Sequence, residues 1–342
     1  MWSIAEIAIA QSIDKSQDTT HQAWDIADLR IRDPFILADE NSKTYYLYRQ
    51  IANGRKDTIE GVRGVEAYQS KNLKTWTGPR IVFQQPEDFW ANAQVWAPEV
   101  HLFQGKYYLF VTFSANHPSN GNSAQKTPGL PVRGTQILVG DSPDGPFKPF
   151  ANQAHTPCDW SSLDGTLWVE DHVPWLIFCH EWTQITDGTV DLLQLKPDLS
   201  APVGSPHLLF RASEAPWSKN LKDLGLNANG LVTDGPFPYR SKSGKLLMIW
   251  SSFGSANYAV GVAESTSGKI SGPWIQQSEP LFKADGGHAM IFRTFQGQLM
   301  LCLHQPNTRQ TERMKIIPLV DVGTTLRISD AEKQPPPSPA GL

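Results

Sequence analysis

The sequence predicts an all-β protein that forms a single five-bladed β-propeller. One block of sequence occurs five times: a short apolar segment opened by a polar residue, a turn, and a second segment rich in Tyr, Leu and Phe. The opening polar residues follow one another at intervals of 66, 65, 70 and 54 residues, which leaves room for four strands in each repeat. No stretch shows helical periodicity of useful length. Radial repetition of this kind is typical of a propeller, and two stacked β-sandwiches are the alternative fold.

Each block supplies one polar side chain near its start. These residues are Asp33, Glu99, Asp164, Asp234 and His288. In a propeller the first strand of every blade lines the central channel, and the antiparallel second strand ends where the first begins. We therefore expect the five side chains to meet at one mouth of the channel. The second-strand ends expected at the same mouth are Arg49, Ser114, His180, Glu181, Trp182, Ser251, His304 and Gln305.

Such a gathering of carboxylates in a concave site is costly unless some of them are protonated, paired or bound to metal. The cluster therefore indicates a functional site rather than a chance grouping of surface charges. An acetal C–O bond breaks when one carboxylic acid protonates the leaving oxygen and a second carboxylate activates water or attacks directly. Asp33, Asp164 and a partner acid on separate blades suit that chemistry.

The predicted propeller occupies residues 26–325, between an N-terminal extension at residues 1–25 and a C-terminal tail at residues 326–342 that is rich in Pro. Residues 2–10 are mildly apolar and end in Ala-Ile-Ala. Because Glu6 interrupts this run and no Lys or Arg precedes it, a complete signal peptide is not indicated. We expect a soluble protein that is either cytoplasmic or exported with a trimmed signal peptide.

Composition narrows the classes of partner. The net charge of -4 and the pI near 6.1 argue against a nucleic-acid partner, and no apolar stretch approaches the length of a membrane span. We expect a monomer. Three cysteines without a CxxC spacing indicate neither a disulfide framework nor a zinc site. Cys179 and Cys302 lie in apolar runs and are predicted to be buried thiols.

Several motifs, in this order, resemble glycoside hydrolase family 43. They are Arg32-Asp33-Pro34, Trp96-Ala97-Pro98-Glu99, Leu163-Asp164-Gly165, Asp234-Gly235-Pro236 and Gly286-Gly287-His288. The resemblance covers residues 28–320. It implies a five-bladed propeller that hydrolyses furanosides or xylosides of plant polysaccharides with inversion.

The resemblance also implies catalytic roles. Asp33 matches the family's general base, and Asp164 matches the aspartate that raises the pKa of the acid and orients it. The acid position departs from the family, because Asp234 stands where a Glu is usual. Two residues are therefore open as the acid, Asp234 and Glu181, and we favour Glu181 slightly. The other would bind substrate hydroxyl groups.

Further residues are candidates for binding. Trp96, Trp182 and Trp250 are the candidates for stacking on sugar rings, and core packing is the alternative for each. Other candidate contacts to substrate are Glu99, Arg293 and His304. The alternative for Glu99 is a structural hydrogen bond, and the alternative for Arg293 is a surface salt bridge. The resemblance implies that His288 ligates a structural calcium ion, or its water shell, near the channel axis, and the alternative is a histidine hydrogen-bonded to backbone or water. No cofactor is expected to be required.

The sequence thus predicts an enzyme with a carbohydrate substrate, and the resemblance favours an exo-acting α-L-arabinofuranosidase. β-Xylosidase, β-galactofuranosidase and endo-arabinanase remain alternatives within the fold. A propeller glycoside phosphorylase is a second class, but it needs several cations in the site, and only Arg49, Arg293 and His304 are candidates. A sugar-binding propeller without catalysis is a third class, against which the pairing of Asp33 with Asp164 argues.

Overall fold

Each of the five predicted repeats forms one antiparallel blade in the computed structural model, which describes residues 22–51, 62–115 and 132–329. Blade 1 contains β1 (Ala23–Asp25), β2 (Phe35–Asp39), β3 (Thr44–Gln50), β4 (Gly64–Ser70) and β5 (Thr75–Gln84). Blade 2 contains β6 (Val95–Phe103), β7 (Lys106–Ala115), β8 (Val132–Gly140) and β9 (Lys148–Pro149). Blade 3 contains β10 (Ser162–Glu170), β11 (Val173–His180), β12 (Thr189–Leu195) and β13 (Pro202–Arg211). Blade 4 contains β14 (Asp234–Arg240), β15 (Leu246–Phe253), β16 (Tyr258–Ser265) and β17 (Trp274–Gln276), and blade 5 contains β18 (Gly287–Arg293), β19 (Leu299–Gln305), β20 (Arg313–Asp321) and β21 (Leu326–Ile328). The predicted five-bladed propeller is confirmed.

The propeller extends beyond both of its predicted limits, residues 26 and 325. Strand β1 lies within the predicted N-terminal extension, yet it pairs with β5 as the outermost strand of blade 1. Strand β21 lies within the predicted tail, yet it pairs with β20 in blade 5. Short strands of three residues carry too little pattern to be recognised in a sequence. The apolar run at residues 2–10 and the Pro-rich end of the tail lie outside the described residues.

The core lies between neighbouring blades. The second strand of every blade is almost wholly apolar, and its residues are buried on both faces because each sheet is covered by the next one. One cluster joins blades 3 and 4, with Ile177 and Phe210 packed near Trp250. Cys179 and Cys302 are buried free thiols, as predicted.

The ring closes between blade 5 and the segment that precedes β2. The guanidinium of Arg30 pairs with Glu312 at 3.1 Å, and Arg313 Nε donates to the carbonyl oxygen of Ala27 at 3.0 Å. On the opposite end, the backbone N–H of Phe295 donates to the Tyr45 hydroxyl at 2.9 Å. These contacts bring the first and last inner strands side by side.

Helix is scarce in the described part of the chain. It consists of α1 (Trp182–Ile185) and two single turns of 3-10 helix, Ala212–Glu214 and Leu221–Leu224. None of these helices is long and apolar enough to cross a membrane. Helix α1 follows β11, and the second 3-10 turn belongs to the long connection between β13 and β14, so both lie at the end of the propeller where the inner strands begin.

Candidate active site

A backbone irregularity recurs where each inner strand begins. One residue per blade there has a positive φ, between 44° and 58°: Asp33, Ala97, Asp164, Gly235 and His288. In blades 2 to 5 the pairing register of the first and second strands also shifts at this point, which is a β-bulge. A bulge bends its strand and redirects the neighbouring side chains. Left-handed backbone is unfavourable for residues other than Gly, and such strain tends to cluster at functional sites.

The bulge corrects the alignment of the repeats. Asp33, Asp164 and His288 do share one structural position, but the equivalent residues of blades 2 and 4 are Ala97 and Gly235. Asp234 precedes the bulge residue by one position and still reaches the site.

Glu99, by contrast, follows the bulge residue of its blade by two positions. Its Oε2 lies 2.9 Å from His101 Nε2, and the His101 ring packs against Phe35 and Phe110. Glu99 does not line the catalytic cavity. Its predicted contact with substrate is therefore corrected to a pairing inside the blade.

The centre of the site is the imidazole of His288. Its Nδ1 lies 3.0 Å from Asp234 Oδ1, 3.4 Å from Asp33 Oδ1 and 3.7 Å from Asp164 Oδ2. Three carboxyl groups from three blades thus surround one ring nitrogen. His288 is only 5% exposed, so these charges interact with little screening by solvent.

The surrounding carboxylates keep His288 charged. Burial alone would lower the pKa of the imidazole, but the negative charges of Asp33, Asp164 and Asp234 raise it well above its usual value. Burial would likewise raise the pKa of Asp33. The charge of His288, a hydrogen bond with His304 and the charge of Arg32 together lower it. Asp33 is therefore a carboxylate that can accept a proton.

Asp164 and Asp234 form a pair with opposite protonation. Burial, and then the negative charge of Asp234, raise the pKa of Asp164 well above its usual value. Burial opposes ionisation of Asp234, but hydrogen bonds from Asp164 and His288 lower its pKa. The Tyr258 hydroxyl also donates to Asp234 Oδ2. The two carboxyl groups thus titrate as a coupled pair, in which the proton is favoured on Asp164 and the charge on Asp234.

Three buried side chains fix this centre in place. The Thr112 hydroxyl accepts the N–H of Asp164 at 2.8 Å, and the Ser251 hydroxyl accepts the N–H of His288 at 2.8 Å. His304 Nδ1 lies 3.3 Å from both the backbone N and Oδ1 of Asp33. His304 is fully buried and does not line the cavity. Its predicted contact with substrate is therefore wrong, and its role is to hold Asp33 in place.

A cavity of about 570 Å³ opens over this centre. All four predicted catalytic residues line it, namely Asp33, Asp164, Glu181 and Asp234, together with the predicted stacking residues Trp96 and Trp182. Its other walls come from the segment before β2, the β13–β14 connection and the β19–β20 connection. The residues they contribute include Arg30, Arg32, Leu221, Leu226, Asn227, Ala228, Asn307, Arg309 and Glu312. A concave site of this size with a few convergent polar groups is typical of a ligand-binding cavity.

Glu181 lies apart from the His288 centre. It is 7% exposed, and its Oε2 accepts hydrogen bonds from Arg133 and from the Ser161 hydroxyl, the latter at 2.7 Å. The guanidinium of Arg133 lies 4.5 Å above the Trp96 ring. Arg133 therefore fixes both a candidate proton donor and a candidate sugar platform.

Two further predicted substrate-binding residues lie elsewhere. Trp250 is fully buried in the core between blades 3 and 4, and its Nε1 donates to Gln276. Arg293 ends β18, at the opposite end of that strand from His288, and bonds to Gly297 and Tyr239. Both predictions are corrected, since neither side chain can reach a sugar in the cavity.

Sequence reasoning missed residues that reach the site from other strands and loops. Tyr258 is the first residue of β16, and Arg133 is the second residue of β8; each of these is the third strand of its blade. Nothing in the local sequence pattern marks either residue as part of the site. Arg32 stands beside Asp33 in the Arg-Asp-Pro motif, so the motif itself could have indicated it.

The cations at the site differ from those predicted. Arg30, Arg32 and Arg309 line the cavity, whereas Arg49 pairs with buried Glu66.

The residues around His288 suit the predicted calcium ion in part. Ligand atoms of Asp164, Asp234 and His288 lie within 4.8 Å of one another, close enough to hold a metal ion, and the two aspartates supply the oxygen ligands that calcium prefers. His288 Nδ1 also hydrogen-bonds to Asp234. A calcium ion near the channel axis stays a prediction.

Carboxyl groups whose pKa values are shifted in opposite directions within one propeller cavity are the arrangement that glycoside hydrolysis requires. The particular family follows from comparison: a model of Glycosyl hydrolases family 43 matches residues 26–321, and the chain belongs to that family. Among solved structures, an endo-arabinase from Bacteroides thetaiotaomicron VPI-5482 is 43% identical with a TM-score of 0.74, and the match covers 86% of this chain and 96% of that one.

Curated relatives are more distant. The extracellular endo-alpha-(1->5)-L-arabinanase 1 of Bacillus subtilis (strain 168) is 24% identical over 192 residues, 51% of this chain and 50% of that protein. Alpha-L-arabinofuranosidase B of Pyricularia oryzae is 21% identical over 267 residues, 73% of this chain and 47% of that protein. The chain thus spans about half the length of the curated relatives it matches.

The charge of His288 can be tested through the pH profile of the enzyme. His288→Gln removes the cation that lowers the pKa of Asp33, so that pKa rises. Because the base must be ionised, we expect the acid limb of kcat/KM to move to higher pH. Arg32→Gln is the control and should move it less, since Arg32 contributes less to the shift. If the acid limb of the pH profile of His288→Gln lies at the same pH as that of the unaltered enzyme, ionisation of Asp33 does not determine this limb.

Proposed function

We propose that this chain hydrolyses α-L-arabinofuranosidic bonds of plant polysaccharides with inversion, and that it releases single arabinose units from chain ends. The observation that carries the proposal is the ionised Asp33 facing a cavity that also holds a carboxyl group on its other wall, Glu181. Inverting hydrolysis needs such a pair, one carboxylate to activate water and one acid to protonate the leaving oxygen.

Asp33 is the proposed general base. It takes a proton from a water molecule as that water attacks the anomeric carbon, and the charge of His288 keeps it ionised until then. Its backbone is held by His304. Both supports come from blade 5, so they position the base without occupying the cavity.

Glu181 is the proposed proton donor. Both oxygens of the alternative, Asp234, are engaged, Oδ1 with His288 and Oδ2 with Tyr258. Glu181 uses Oε2 for Arg133 and Ser161, and its Oε1 has no hydrogen bond among the described residues. Oε1 is therefore available to carry a proton to the leaving oxygen, while Arg133 holds the other oxygen in place. Asp164 and Asp234 then bind and orient the sugar from the floor of the cavity.

The assignment of the acid can be tested with two variants and two leaving groups. Glu181→Gln should lower kcat/KM about 10²- to 10⁴-fold on an arabino-oligosaccharide, the usual range for loss of a general acid. It should keep most activity on a dinitrophenyl arabinofuranoside, whose leaving group needs no proton. Asp234→Asn is the matched control and should lose activity equally on both substrates. The reverse pattern would identify Asp234 as the acid.

Substrate and mode of action rest on two lines of support. The curated and structural relatives are described as arabinanases and an arabinofuranosidase, which favours an arabinofuranosyl substrate. The segment with Leu226 to Ala228 and the segment with Asn307 to Glu312 form walls of the cavity, which favours a pocket for a chain end. Endo-arabinanase is the second candidate, because the relative with 43% identity is described as an endo-arabinase.

Products from two substrate types separate these candidates. We expect turnover of 4-nitrophenyl α-L-arabinofuranoside well above that of the corresponding xylopyranoside and galactofuranoside. From linear arabinan, an exo-acting enzyme releases arabinose from the first time point with little loss of viscosity. An early fall in viscosity with arabino-oligosaccharides as products would establish the endo mode instead. Preference for the xyloside would overturn the arabinofuranosyl assignment.

A further inference from the structure

A second cavity lies beside the catalytic one, and we call it the distal cavity. Its volume is about 660 Å³, comparable to the catalytic cavity. Its walls come from the segment before β6, the start of β8, the β9–β10 connection and β13. The residues that line it include Trp90, Arg133, Asn152, Cys158, Asp159, Trp160 and Ser205.

Two half-buried tryptophans line the distal cavity. Trp160 stacks on His180 at 4.1 Å between ring centroids with only 14° between the planes, so one face of its indole is covered. Trp90 packs edge-on against Phe113, and its Nε1 donates to Gln136 at 2.6 Å. Both indoles are held in fixed orientations. An indole face fixed at a cavity wall offers a flat apolar surface of negative potential, which suits the C–H face of a sugar ring.

The floor of the distal cavity is rigid. His155 is 6% exposed, and its ring nitrogens bond to Ile137 N at 3.2 Å and Leu199 O at 3.1 Å. Gly134 allows close packing there, because a Cβ at this position would lie 2.5 Å from the Cβ of Ala154. The cavity is therefore a feature of the packed blades and is formed before any ligand arrives.

Arg133 connects the two cavities through its contacts. It lines the distal cavity, yet its guanidinium pairs with Glu181 and stacks over Trp96, both of which line the catalytic cavity. Trp160 rests on His180, the residue that precedes Glu181. Arg133 and Trp160 therefore join the wall of the distal cavity to Glu181 and Trp96 of the catalytic cavity.

We propose that the distal cavity binds sugar units of the polysaccharide that are remote from the bond being cleaved. Arg133 is already paired with Glu181, so it does not attract an anion into the cavity, which suits a neutral ligand. Ser205 at its wall is a polar group of the kind that binds sugar hydroxyl groups, and the amide of Asn152 holds the wall in place through bonds to Trp90 N and Asp88 O. The inference rests on the proposed function for the identity of the chain, an arabinose-containing polysaccharide, but the cavity and its two indoles exist independently of it.

Binding in the distal cavity should act on long substrates alone. It adds interactions that are the same in the ground state and the transition state, and such interactions lower KM without changing kcat. A short aryl furanoside fills only the catalytic cavity, so its kinetics should not depend on the distal one.

The chain supplies a selective probe. Of its three cysteines, Cys158 is exposed and lines the distal cavity, whereas Cys179 and Cys302 are buried. A bulky maleimide such as fluorescein maleimide should therefore react at Cys158 and fill the distal cavity. We expect the label to raise KM on linear arabinan about five- to tenfold, the loss of one good stacking contact. We expect kcat on arabinan and both constants on the aryl furanoside to stay the same.

Two controls make the result specific. Cys158→Ser treated with the same maleimide should behave as it does untreated. Cys158→Ser combined with Gln296→Cys carries the label on the exposed β18–β19 turn, at the opposite end of the propeller, and should leave KM on arabinan unchanged. An unchanged KM in the labelled enzyme, or an equal change on both substrates, would overturn the proposal.

A binding measurement separates failure of this inference from failure of the proposed function. In native gels that contain linear arabinan or arabinoxylan, the unlabelled protein should migrate more slowly than in plain gels, and the label at Cys158 should reduce that retardation. This readout does not depend on turnover. Retardation that the label leaves unchanged contradicts the distal site even if the enzyme proves to be a hydrolase. Retardation abolished by the label supports the site even if the hydrolysed bond is of another kind.

Discussion

One buried imidazolium holds the catalytic centre together. His288 Nδ1 lies within 3.7 Å of carboxyl oxygens from Asp33, Asp164 and Asp234, which would otherwise repel one another in a site of low dielectric. The positive ring lowers the pKa of Asp33 and of Asp234 against the effect of burial, whereas burial and the charge of Asp234 raise the pKa of Asp164. Different protonation states in one cavity are what acid–base chemistry requires, and here they follow from a single side chain.

The catalytic centre depends on closure of the ring of blades. Asp33 belongs to the first blade and His288 to the last, so the key contact exists only when these two blades meet. The pair between Arg30 and Glu312 and the bond from Arg313 to Ala27 secure that meeting. The left-handed residue at the start of each inner strand then turns the side chains into the mouth of the channel. Fold stability and catalytic geometry therefore share the same contacts at the seam of the ring.

Much of this was visible in the sequence. Fivefold recurrence predicted the architecture, because each blade is one unit that must bury both faces against its neighbours. The same recurrence predicted which residues reach the mouth, and Asp33, Asp164, Asp234 and Glu181 do line one cavity.

The errors share a physical cause. Glu99 was matched to Asp33 by polarity, whereas the structural match is made by backbone conformation, and a one- or two-residue shift at a bulge sends a side chain to a different surface. Trp250 and Arg293 have the right chemistry for a sugar site but lie in the core and at the far end of a strand. Arg133 and Tyr258 escaped notice because they come from outer strands, whose reach depends on how blades stack. Such long-range packing leaves no local pattern.

The charge of His288 can be read directly by nitrogen NMR of the enzyme labelled with ¹⁵N-histidine, with His288→Gln used to assign the signals. If three carboxyl groups hold the ring charged, both of its nitrogens will show the chemical shifts of a protonated imidazolium at pH 8, above the usual histidine pKa of about 6.5. Shifts of a neutral tautomer at pH 8, with one nitrogen bare, would contradict the account, because the carboxylates would then lack the charge that organises them.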